Sequence, residues 1–248
     1  MKNLLFLLVG ISIMFSSCGD DDVAKDLAIN IKLVNKGEPI VGFEPFDYPG
    51  GYSMFLTKFS LFISEMELVR EDNSSIPIGD IIFMDLLENV QTRERAEQGL
   101  SLLVSNVPSD EFTLLRFNIG VPSELNAKQP SDYSSDNVLS NSGEYWVGWS
   151  SYIFHKTEGK IDVEGDGEFE TNVALHIGSD EALRVAEYDI DLDLDDKQEL
   201  KIVVDIDDIF SVNGEYYNFI ETPQIHHLGL LPKALPIMDA FSTNISVE

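Results

Sequence analysis

The chain predicts an all-β fold, a single antiparallel β-sandwich domain with long loops, preceded by an export leader and a short acidic tether. Apolar and polar residues alternate over most of the chain, as they do along strands with one buried face. Only two short stretches, Arg93 to Leu103 and Asp205 to Phe210, read as helical. No internal repeat and no proline-rich linker divides the middle of the chain.

The leader comes first. Lys2 precedes an apolar run from Leu4 to Phe15, too short for the ~20 residues a spanning helix needs. Phe15-Ser16-Ser17 then lead directly into Cys18, the order a lipoprotein signal peptidase requires. Residues 1–17 are therefore read as a lipoprotein signal peptide, with Cys18 as the acylated first residue of the mature chain and the lipid anchor. Because Cys18 is the only cysteine, no internal disulfide can form. Residues 18–26 form the tether. Its Gly19-Asp20-Asp21-Asp22 run resembles the surface-export tag of Bacteroidota lipoproteins, which implies an outer-membrane protein on the periplasmic or cell-surface side. The folded domain is expected over residues 27–248.

Strands follow in order. Leu27 to Val34, Phe55 to Ile63 and Met66 to Arg70 alternate, and Glu71 to Ser75 is a polar turn. Ile81 to Leu86 is another strand, and Glu111 to Gly120 has the near-continuous apolar run of a buried central one. Val121 to Gly143, rich in Pro, Ser, Asn and Asp, reads as a long loop with one helical turn near Ser123 to Asn126. Strand signals resume at Tyr145 to Lys156, Phe169 to Ile177, Val185 to Leu194 and Leu200 to Ile206. Within them Asp189 to Asp195 alternates strictly, aspartates on one face and aliphatics on the other.

Charge and inventory exclude several functions. Losing Lys2 with the leader moves the net charge from −28 to −29, whereas phosphate backbones need a basic face, so nucleic acid is excluded as a partner. The same charge opposes docking on anionic lipid and leaves the acyl chain as the whole membrane attachment. No Gly-x-Ser-x-Gly elbow and no His-Glu-x-x-His motif appears, and the chain is not read as an enzyme. Asp162 to Gly167 opens like a calcium loop, but Val173 stands where a bidentate glutamate is needed, so an acidic hairpin turn is expected.

What remains is concentrated between Phe117 and Gly178. Both tryptophans, Trp146 and Trp149, and two of the four histidines, His155 and His176, lie there; His226 and His227 follow later. Imidazole is the commonest protein metal ligand and suits copper or zinc. In an extended segment His226 and His227 point to opposite faces, so one of them can join His176 at a given site. Gly148 between the tryptophans allows a bulge or turn that puts both indoles on one side. Met238 is a conceivable thioether ligand, with packing its ordinary role.

The order Phe117-Asn118-Ile119-Gly120-Val121-Pro122, Leu125-Asn126, Tyr145-Trp146-x-x-Trp149-x-x-Tyr152-x-Phe154, Glu158-Gly159 and His176-Ile177-Gly178 resembles the MbnP-like domain family. Tyr52-Ser53-Met54, Leu61 to Ser64 and the end from Ile225-His226 to Phe241-x-x-Asn244 fit the same pattern. The resemblance implies an exported β protein that binds copper without turnover, using histidines and a tryptophan oxidised to kynurenine by a di-haem peroxidase-like partner. Carried over, the metal residues are His176, His226 or His227, and Trp146 or Trp149. The family's copper binders place a histidine two residues after the modified tryptophan; here those positions are Gly148 and Ser151, so His176 or His155 must substitute. The rival reading is a metal-free interaction or glycan-binding module, using the aromatic segment and the loop from Val121 to Gly143.

Overall fold

The computed structural model describes residues 24–212 and 214–248. The leader, Cys18 and the aspartate run of the tether lie outside the described residues. The first strand begins at Ala24, three residues before the expected domain start.

Sixteen strands are arranged in two main sheets and a small hairpin. In chain order they are β1 Ala24–Asn35, β2 Glu38–Pro39, β3 Phe46–Tyr48, β4 Tyr52–Val69, β5 Ser75–Asp85, β6 Leu100–Pro108, β7 Glu111–Ile119 and β8 Tyr145–Trp146. Then come β9 Ser151–Asp162, β10 Thr171–Gly178, β11 Arg184–Asp193, β12 Glu199–Asp205, β13 Ser211–Val212, β14 Glu215–Tyr216, β15 Gln224–Ile225 and β16 Ser246–Val247. The smaller sheet runs β16-β12-β1-β2, with β6 also on β1. The larger runs β11-β7-β4-β9-β10-β15, with β3 and β5 also on β4 and β8 on β9. Buried apolar side chains from both sheets form one continuous core. The expected antiparallel sandwich is present with two parallel exceptions, β1 against β12 and β10 against β15.

β4 is the spine. Its first half pairs with β3 and β9, and its second half with β5 and β7. Two separate strands were expected here, and the structure joins them. Glu65, at φ 52°, absorbs the break as a local irregularity, and the register to β7 shifts between Ser64 and Glu67. β7 is a central strand as expected, flanked by β11 and β4, but the strand buried on both faces is β9. β7 alternates between buried and open positions, because only one of its faces meets the core.

Three further expectations change. The helical stretch from Arg93 stops at Gln98, since Gly99 takes φ 69° and a Cβ there would collide with the Ile31 carbonyl; Leu100 to Leu103 belong to β6. The strand expected over Tyr145 to Lys156 is split by a tight turn at Val147–Ser150, with Trp149 N–H donating to the Trp146 carbonyl at 3.0 Å and Ser150 at φ 52°. An unexpected helix, Leu231–Phe241, covers the core; Pro232 and Pro236 concealed it, although Leu231, Ala234, Ile237, Met238 and Phe241 form a helical stripe that is fully buried. Shorter helices at Ser123–Asn126 and Ile206–Ile209 stand where helical turns were expected.

The loop from Val121 to Gly143 folds down onto the start of β9. Asn126 accepts from Tyr152 N and Ser151 Oγ, at 2.8 and 3.0 Å, and Tyr152 Oη donates to the Leu139 carbonyl at 2.6 Å. The loop thereby covers the outer side of β9, which explains its double burial.

His155 lies inside this core. Its ring packs 4.8 Å from Phe59 and 4.7 Å from Phe241, centroid to centroid, and bonds the Ser60 carbonyl through Nδ1 and Thr157 Oγ1 through Nε2. Burial pushes its pKa down to about 3, so the folded state keeps it neutral. An unfolded His155 takes up a proton below roughly pH 6.5. The stability this residue contributes is therefore complete above that pH and erodes as pH falls towards about 3, by up to ~1.4 kcal/mol per pH unit. In denaturant titrations the stability of the wild type relative to His155→Phe is expected to fall between pH 6.5 and 4.5, the variant losing this part of the pH dependence. A wild-type slope no steeper than the variant's would contradict a neutral buried His155.

Candidate metal centre

Three side chains from distant parts of the chain meet on the outer face of the larger sheet. Trp146 closes β8, His176 stands near the end of β10, and His226 follows β15 directly. The tight turn after Trp146 swings its indole over both imidazoles. Ring centroids are 5.4 Å apart for Trp146 and His226, stacked at 22°, and 5.4 Å for Trp146 and His176, edge-on. The two imidazoles are 4.9 Å apart. The parallel pairing of β10 and β15, Leu175 opposite Ile225, brings His226 alongside His176.

Each histidine keeps one nitrogen without a partner. His176 Nε2 bonds Glu158 Oε1 at 2.7 Å, while its Nδ1 is buried and unbonded. His226 Nε2 is likewise buried and unbonded. A buried nitrogen left unpaired is costly, and such atoms call for an explanation. Glu158 Oε1 accepts from Nε2–H, which leaves the Nδ1 lone pair of His176 bare. The hydrogen bond to His176 holds the Glu158 carboxyl below its ordinary range, so it stays an acceptor. Burial, together with nearby His176, holds the His226 imidazole below its usual value and keeps it neutral at neutral pH. Two unbonded imidazole nitrogens in a cluster with one indole, one ring backed by a carboxylate, have the donor chemistry and the supporting bond that a histidine pair would need to hold a metal.

The other candidates fall outside this group. Trp149 flanks it, 6.4 Å from Trp146, and its indole N–H donates to the His226 carbonyl at 3.2 Å, fixing backbone rather than facing the nitrogens. His227 is exposed and makes no ring contact with the cluster. His155 cannot substitute as a ligand, because both its nitrogens are committed inside the core. Met238 is core packing in the last helix. Asp162 turns its carboxylate onto the amides of Gly165 and Gly167, at 2.7 and 2.8 Å, in the expected acidic hairpin turn. Among the described residues no three His, Cys, Asp or Glu side chains are grouped to hold a metal ion. The aromatic cleft lined by Tyr48, Tyr52, Tyr216 and Phe219 shares no residue with the cluster.

Glu158 stands in the sequence pattern beside Gly159, but no role was read for it there. It lies two residues beyond Lys156, the β9 partner of His176, and one carboxylate among 44 acidic residues carries no local signal.

The family model MbnP matches residues 24–227, a span that contains Trp146, Glu158, His176 and His226. Among solved structures, MbnP from Methylosinus trichosporium is similar with a TM-score of 0.55 at 14% identity, over 76% of this chain and 78% of that chain. At that identity the likeness is one of fold. No curated protein sequence matches the chain.

The Glu158 bond makes a prediction that needs no metal. Long-range ¹H–¹⁵N spectra of the metal-free protein are expected to show His176 protonated on Nε2, and Glu158→Ala is expected to release it into a tautomer mixture. A wild-type His176 protonated on Nδ1 would remove the free lone pair and, with it, the histidine pair.

Proposed function

The chain belongs to the MbnP family, and from that footing we propose that it is a lipid-anchored cell-envelope protein that binds copper through His176 and His226 beneath the Trp146 indole. The observation that supports this most directly is the pair of buried, unpartnered nitrogens, His176 Nδ1 and His226 Nε2, in one cluster. Imidazole suits copper and zinc, and Glu158 orients one ring as outer-shell carboxylates do for metal-bound histidines. Bound copper supplies a redox-active cation. The chain's own contribution is to keep the His226 ring neutral, to orient His176 through Glu158 and to cover both rings with Trp146.

The role is capture and holding rather than turnover. The cluster contains no nucleophile, and its one carboxylate is already engaged by His176. Trp146, not Trp149, is the tryptophan placed to be oxidised to kynurenine by a di-haem peroxidase-like partner, because it alone of the two contacts both imidazoles. Acylation of Cys18 would hold the domain at the outer membrane, on the periplasmic or cell-surface side.

Copper titration of the domain freed of its leader, under reducing conditions, tests the proposal. His176→Ala and His226→Ala are each expected to abolish binding that survives a weak chelator, and His227→Ala to leave it unchanged. Intact mass of protein from its native host should place any kynurenine increment on Trp146. Wild-type protein that takes up no copper, with both tryptophans unmodified, would leave the metal-free interaction module as the better reading.

A further inference from the structure

A second cluster lies beside the first and belongs to none of the roles above. Glu144 and Lys156 form an ion pair, Nζ to Oε2 2.7 Å, with both side chains more than nine-tenths buried. Lys156 also donates to the Gly143 carbonyl at 3.1 Å. Lys58 approaches the other Glu144 oxygen at 3.6 Å and Asp85 at 3.2 Å, so two ammonium groups face two carboxylates. Burying charge at this depth is expensive, and an apolar pair of similar volume would hold loop to sheet as well or better. The pair therefore needs a reason beyond stability.

Its location supplies one. Glu144 immediately precedes Tyr145 and Trp146, and β8 has only two register pairs to β9, Tyr145 with Tyr152 and Trp146 with Ser151. So short a strand fixes little by itself. Lys156 is the residue of β9 that stands opposite His176 in β10, and cross-strand partners share a face. The ion pair thus ties the residue before the Trp146 strand to the sheet position that carries His176. The contact is a charge pair by distance, Glu144 Oε2 making no hydrogen bond, and a buried charge with one counter-charge at hand specifies one placement where apolar contacts allow several.

The geometry points to Glu144 and Lys156 as a positioning pair that sets the Trp146 indole against His176 and His226. It rests on the arrangement used in the metal-site reading, but not on any metal being bound. The test is accordingly made on metal-free protein. In the wild type, the stacked Trp146 indole should displace the His226 ring protons upfield in the NMR spectrum, and Trp146→Phe should identify that displacement. Glu144→Gln and Lys156→Met are expected to lose it while still unfolding cooperatively, and Lys156→Arg, which keeps the charge, to retain it. Where the wild type binds copper, the first two variants should also bind about tenfold more weakly, the low end of outer-shell effects.

An unchanged His226 displacement in folded Lys156→Met would overturn the proposal and reduce the pair to packing. Should that variant fail to fold, Glu144→Gln and the doubly neutral Glu144→Gln/Lys156→Met, which leaves no unpaired charge, decide in its place. Loss of the fold in all three would equally overturn it, by making the pair a folding requirement. A wild type that binds no copper would sink the metal reading and leave this result standing.

Discussion

The alternation of β9 is the constraint on which both core and site depend. His155 and Thr157 point into the space between the sheets, where Phe59 and Phe241 enclose the histidine. Lys156 and Glu158 point the other way, one to Glu144 and one to His176. A slip of one residue against β10 would bury Glu158 among aromatics and put His155 outside. Few strands are pinned so firmly, since either exchange buries an unpaired polar group. The surrounding fold serves this register: β4 pairs β9 along one side, β10 along the other, and the loop from Val121 to Gly143 covers its outer start.

The electrostatics at the site run against those of the chain. A protein of net charge −28 attracts cations everywhere on its surface, yet no carboxylate of the described residues joins His176 and His226 as a third metal-binding group. Glu158 spends its near oxygen on Nε2 of His176, and Glu144 is neutralised by Lys156. Two imidazole nitrogens and an indole face would suit hard cations poorly, since these want six or more oxygens, and borderline or soft metals better. Diffuse acidity can gather cations near the domain, while the donor set selects among them.

The parts of this that were legible in the sequence share a property: they are either periodic or rare. Alternation located most strands, and the scarcity of Trp and His singled out Trp146, Trp149, His176, His226 and His227 among 248 residues, without choosing between the tryptophans or between the adjacent histidines. Their convergence was not legible, because it depends on a parallel pairing between β10 and β15 that two residues, Gln224 and Ile225, establish. The last helix was hidden by Pro232 and Pro236, whose breaking tendency the buried stripe from Leu231 to Phe241 overrides. Conversely Leu100 to Leu103 looked helical until Gly99, packed against the Ile31 carbonyl, turned the chain into β6. The pairings of Glu158, Glu144 and Lys156 were illegible for another reason. Charged residues are common in this chain, and nothing local distinguishes one that is buried and paired from one in water.

The placement of Trp146 links these points. Its indole is held from three directions: the turn at Val147–Ser150, the stacked His226 ring, and the ion pair two residues upstream at Glu144. Trp149 secures the third member of the cluster from behind, donating to the His226 carbonyl. The two tryptophans are thus unequal despite standing three residues apart, one facing the bare nitrogens and the other fixing the backbone that carries one of them. Removing one partner of a buried ion pair typically costs on the order of 3–5 kcal/mol, so the chain invests a large share of a domain's usual margin in this segment. Such an investment is reasonable where an aromatic ring must be held over two imidazoles that have no third protein ligand to fix their geometry.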